Sequence, residues 1–233
     1  YVAHARRTAY PLLDLGLFAN RTFRIAITGS TLFRIGTGAV PFLLPLMFQL
    51  GFGMTPFQSG LLTFASAMGA IAMKFIAQGM LRVGGFRNVL AASTLLGAGL
   101  IAANAAFTPQ TPAAVIIAVL FAAGFLRSLF FTSSNALVFA ELEPGEVSQA
   151  TAISAALQQI SIALGVAVAG GILEAVTLIT GQPIGLASFS WAFVIIGGLA
   201  AFAVIQFLRL PQDAGSAVSG HGAAKDDVPP SEG

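Results

Sequence analysis

Apolar residues along this chain gather into six long blocks parted by short polar joints. A bilayer core of about 30 Å is crossed by about 20 apolar residues in a helix. The blocks reach that length: Phe23 to Phe48, Pro56 to Leu81, Phe86 to Phe107, Pro112 to Phe139, Ser148 to Ile172 or a little beyond, and Ser188 to Leu208. The joints carry turn residues: Gly51-Phe52-Gly53, Gly84-Gly85, Thr108-Pro109, Pro144-Gly145 and Gly181-Gln182-Pro183. The blocks are too long for strands and lack the two-residue alternation of an outer-membrane barrel. The pattern predicts an all-α membrane protein with six transmembrane helices.

Composition agrees. Of 233 residues, 56% are hydrophobic and 9% charged, and the mean hydropathy is +0.87. A soluble domain carries about 25% charged residues and needs a polar surface that this chain cannot supply. A soluble enzyme, a nucleic-acid binder and a disordered protein are excluded as classes. There is no cysteine, and His4 and His221 lie in the polar flanks, so the spans hold no metal ligand set and no histidine base. An enzyme, a metal site and a cofactor site are therefore not expected. Residues 1–22 read as a cytoplasmic linker, 23–210 as a six-helix transporter half, and 211–233, rich in Gly, Ala, Ser, Pro and Asp, as a disordered cytoplasmic tail. The chain opens on Tyr1 rather than Met and is expected to be a piece of a longer protein.

Placement of the basic residues gives the orientation. Arg6, Arg7, Arg21, Arg24, Arg82, Arg87, Arg209 and Lys225 fall at the chain ends and in the joint between the second and third spans. The joints on the other side carry no Lys or Arg. Both ends are expected on the cytoplasmic side, with Trp191 as an outer interfacial aromatic. Three basic residues remain inside the spans: Arg34, Lys74 and Arg127. A charge at mid-helix costs about 2.5–3.5 kcal/mol on insertion scales, so such residues are paired or functional. Arg34 and Arg127 are near mid-span, and Lys74 lies about two turns from the inner end of the second span, near enough to snorkel. No acid lies deep in the six spans; Glu174 falls at the outer end of the fifth. The partner of these cations is then a missing part of the protein, an anionic ligand group or water. Gln158 and Gln159 diverge by about 100° on a helix, so at least one faces the bundle. Asn135, beside Thr132, Ser133 and Ser134, suits either an interhelical hydrogen bond or a substrate contact. Pro41 and Pro45 mark a candidate kink.

Spans one, two, four and five hold the charges or paired amides, whereas three and six hold no charge. That is a three-plus-three repeat. Triplets of helices alternate in direction, which makes it an inverted repeat around a polar centre.

The arrangement resembles one half of a major facilitator transporter, and local motifs resemble the 14-helix drug:proton antiporters, C-terminal portion. They are Pro11-Leu-Leu-Asp-Leu-Gly-Leu-Phe with Arg21-Thr-Phe-Arg; Phe33-Arg34-Ile-Gly-Thr-Gly-Ala-Val-Pro-Phe-Leu-Leu-Pro-Leu; Met73-Lys74 with Gly85-Phe-Arg87; Arg127-Ser128 with Phe131-Thr132; and Ser148 through Gln159. The resemblance implies a proton-driven exporter of the bacterial inner membrane that alternates between inward- and outward-open states. The proton gradient would be its energy source, a small molecule its substrate, and an absent N-terminal half its partner. Spans one, two, four and five would line the cavity, with Arg34, Arg127, Lys74, Gln158, Gln159 and Asn135 as polar contacts and Phe33, Phe130 and Phe131 as apolar walls. The family's cytoplasmic turn is matched by Gly79, Leu81, Gly85 and Arg87, with Arg82 beside them, but Val83 stands where the motif has an acid. Three unpaired cations equally suit a carrier of organic anions, and a non-transporting membrane scaffold or sensor is the reading from another class.

Overall fold

The structure, a computed structural model, describes residues 15–212 and 214–219. The opening motif from Pro11 to Asp14, Arg6, Arg7, Lys225 and both histidines lie outside the described residues. Among the described residues there are helices and no strand. A short 3₁₀ turn, Leu15–Ala19, leads into α1 (Arg21–Leu46). Then follow α2 (Pro56–Lys74), α3 (Ala77–Ala103), α4 (Ala113–Phe139), α5 (Val147–Thr180), α6 (Leu186–Ala201), α7 (Ala203–Leu208) and α8 (Ser216–Ser219).

Capping residues explain several starts. Asn20 Oδ1 accepts the Phe23 amide at 3.0 Å ahead of α1. Thr55 and Gln58 satisfy each other's amides ahead of α2, with Pro56 at the first helical position. Pro41 and Pro45 lie inside α1 without ending it. Their missing N–H groups release the carbonyls of Thr37 and Pro41. The helix widens just after them: Met47–Gly51 form a π turn, closed by the Phe52 amide on the Met47 carbonyl at 3.2 Å.

The joint between the second and third spans departs from expectation. α2 ends at Lys74 rather than near Leu81, and Phe75 and Ile76 close it through three-residue bonds to Ala72 and Met73. α3 then starts at Ala77, ahead of the expected Phe86, and bends at Gly85, whose φ of 65° and ψ of 166° suit glycine. Phe75, Ile76, Met80 and Leu81 are as apolar as the helices on either side, so hydropathy could not reveal the break. α5 also runs eight residues past Ile172, to Thr180. Among the described residues, five helical segments are long and apolar enough to cross a membrane, from Arg21–Gly51 to Leu186–Leu208. The sixth span, α2, is shortened by the break at Phe75.

Packing follows the predicted repeat. α2 lies along α4 as α5 lies along α1; α3 packs on α4 as α6 and α7 pack on α1; and α3 meets α6. Exchanging the first three spans for the second three preserves these neighbours. α2 and α4 come close enough that a Cβ on Gly69 would stand 1.9 Å from the Phe121 carbonyl oxygen, and one on Gly124 would stand 1.9 Å from that of Ser66. This is the small-residue contact expected of membrane helices, where apolar burial gives no drive and close backbones do.

One end of the bundle gathers the basic joints. Arg21 donates to the Arg209 carbonyl at 3.0 Å, and Gly215 packs against Phe86. At the opposite end Ser190 Oγ donates to the Ala105 carbonyl at 2.9 Å. Within the segment expected as tail, Ala214 is buried, and Gly215 (φ 67°) fits between Phe86 and Leu137.

Candidate polar cleft

Arg34 is set on the inner face of α1 and is only 7% exposed. Its Nη2 donates to Asn135 Oδ1 of α4 at 3.0 Å, and its guanidinium lies 4.3 Å from the centroid of the Phe131 ring. The arginine thus has a hydrogen-bond acceptor and an aromatic face, both neutral. One turn before it, Ser30 Oγ meets Ser134 Oγ, fixing α1 against α4. Arg127 sits on α4, half-buried, and donates to Ser66 Oγ of α2 at 3.3 Å; the neighbouring Ser128 Oγ donates to the Ala70 carbonyl at 3.1 Å. Neither guanidinium meets a carboxylate among the described residues. The expectation that these cations find no acid within the six spans holds, but each has a neutral partner that the sequence had not assigned.

Both arginines open on one cleft of about 530 Å³ between α1, α4 and α5, lined also by Thr37, Pro41, Phe42, Phe131, Gln158 and Ile162. A volume of this size lies in the usual range for small-molecule sites.

The structure sorts the other candidates. Gln158 faces the cleft; Gln159 is exposed and outside it. Asn135 holds Arg34 rather than lining the cleft. Of the three aromatics only Phe131 reaches it. Phe33 and Phe130 are fully buried with ring centroids 4.1 Å apart, and Phe130 continues onto Phe207 at 5.5 Å. These two are core residues joining α1, α4 and α7, because their positions on the helices point inward to neighbouring spans. Lys74 is not brought to the cleft. As the last residue of α2 it is exposed at the helix C-terminus, where a positive charge is favoured by the helix dipole. Gly79 and Arg82 are exposed on the first turns of α3, Gly85 forms its bend, and Arg87 is half-buried beyond it. The expectation that α2 lines the cleft is met only indirectly, through Ser66 behind Arg127. Thr37, Ser66, Phe42 and Ile162 escaped notice because polar or apolar character alone does not say which side of a mid-membrane helix a residue occupies. Asn104, near the end of the third span, is fully buried, and with Arg127 it borders a small cavity of about 30 Å³.

The sequence pattern described as the Major Facilitator Superfamily matches residues 26–230. The chain belongs to this superfamily. Its relatives include bacterial proteins named as multidrug resistance protein MdtD. One, from Klebsiella pneumoniae subsp. pneumoniae, is 33% identical over 225 residues, 93% of this chain and 46% of its own length. Another, from Serratia proteamaculans, is 31% identical over 216 residues, 91% of this chain and 45% of its own length. A third, from Pectobacterium atrosepticum, is 36% identical over 173 residues, 74% of this chain and 37% of its own length. The chain spans less than half the length of these curated relatives. The family match and the bundle of paired triplets agree with the half-fold expected from the sequence.

Proposed function

We propose that this chain is the C-terminal half of a proton-coupled exporter of drugs or other amphipathic small molecules, working by alternating access in a bacterial inner membrane. The observation that carries the reading is the cleft: about 530 Å³, apolar over most of its wall, with two guanidiniums turned into it and no acid beside them. Substrate would bind there, between this half and the N-terminal half that the relatives' greater length leaves room for. The proton-carrying acid would belong to that other half, since no acid is buried among the described residues, Glu174 of α5 being exposed. The basic joints gathered at one end of the bundle would face the cytoplasm, which places both chain ends inside.

Separate Arg34→Ala and Arg127→Ala substitutions in the full-length protein test the site. Loss of export with insertion intact supports it, whereas export and proton coupling that both persist remove it. A second reading has its own support. Unpaired guanidiniums favour an organic anion or acidic metabolite over a lipophilic cation, and competition between the two in a transport assay decides.

A further inference from the structure

Beside the open cleft, and sharing Arg34 and Gln158 with it, lies a second and much smaller cavity of about 20 Å³. Its polar lining is Arg34, Ser30, Thr31, Ser134, Asn135, Ser154 and Gln158. What these groups can still offer decides what fits. Ser30 is bonded to the Ala26 carbonyl and to Ser134, so that pair is satisfied within the wall. Asn135 has its carbonyl oxygen occupied by Arg34, which leaves the amide N–H groups. Ser154 Oγ is buried and has no hydrogen-bond partner. No carboxylate lines the space. The cavity is therefore rich in donors, carries a buried positive charge, and is far smaller than the neighbouring cleft. Among the described residues Ser59, Thr94 and Ser133 also carry buried hydroxyls without a partner, but Ser154 lines a cavity beside a buried charge, and a buried charge without a counter-charge is uncommon. Water would satisfy the hydroxyl but leave the charge as it is.

We propose that this cavity is a binding site for a single small anion, chloride under ordinary conditions, held by Arg34, the Asn135 amide and the Ser154 hydroxyl. The ion would offset part of the charge of Arg34, which lines the cleft as well. An anion as long as gluconate does not fit so small a space. This goes beyond the transport reading, and it is tested without substrate, so either can fail alone.

The experiment is thermal unfolding of the purified full-length protein in detergent, with sodium chloride exchanged for sodium gluconate at constant ionic strength. The expected result is a saturable rise of a few degrees with chloride, reproduced by bromide and absent with gluconate. Ser154→Ala should raise the half-saturating chloride concentration about tenfold or more, since it removes one hydrogen bond to a charge. The same unfolding midpoint for wild type in chloride and in gluconate overturns the proposal, as does a Ser154→Ala protein with unaltered chloride response. Should that variant not fold, crystals of the wild type grown in bromide decide: an anomalous peak beside Arg34 supports the site, and water density without a peak overturns it.

Discussion

Replacing Gly124 by alanine adds one methyl group at the tightest crossing in the bundle. Its Cβ would stand 1.9 Å from the Ser66 carbonyl oxygen, 2.6 Å from that residue's carbonyl carbon and 2.8 Å from its Cα. Ordinary contact begins at 3.4 Å, so the two helices must part by 3.4 − 1.9 = 1.5 Å. The obstacle is backbone, which cannot turn aside as a side chain can. Overpacking of this kind costs about 1–3 kcal/mol where the structure can relax. The displacement also reaches the cleft. Ser66 holds Arg127 at 3.3 Å, and moving it directly away by 1.5 Å would leave 4.8 Å, beyond hydrogen bonding. Gly124→Ala in the full-length protein should therefore lower the detergent unfolding midpoint by several degrees and weaken export. The matched control is Gly99→Ala, since a Cβ there meets nothing within 4 Å and alanine favours the helix. An unfolding midpoint for Gly124→Ala equal to that of Gly99→Ala would refute the packing argument, and normal export alongside lost stability would refute its link to Arg127.

Three further outcomes are expected. Asn135→Asp would give Arg34 a carboxylate partner at the present 3.0 Å contact, cancel its charge toward the cleft, and shift competition in transport assays from anions toward cations. Because the chain has no cysteine, a single cysteine at 158 should react with a membrane-impermeant thiol reagent, whereas one at the neighbouring position 159, outside the cleft, should not. Gly85→Ala places a side chain at φ 65° and ψ 166°, a region of order 1–3 kcal/mol unfavourable for other residues, so its unfolding midpoint should fall while that of Gly79→Ala, in open space, should not.

Six spans, their alternation in direction and the pairing of the two triplets were legible in the sequence. Bilayer thickness imposes a length on every span, and the low dielectric of the bilayer makes each buried charge conspicuous. Arg34 and Arg127 stood out on that ground alone, and both do face the cleft. Tertiary structure decided everything that depends on which side of a helix a residue occupies. In a soluble helix the polar stripe reports its own orientation, but in a bundle surrounded by lipid the lipid side and the packed side are equally apolar. Phe33 and Phe130 could therefore not be told from Phe131, nor Gln158 from Gln159. The break at Phe75, which carries Lys74 to a helix end and away from the cleft, was hidden for the same reason, since the turn is as apolar as the helices it joins. Partnership needed the fold as well. Asn135 is 101 residues from Arg34 and Ser66 is 61 from Arg127, and only the packing of α4 against α1 and α2 brings them within a hydrogen bond.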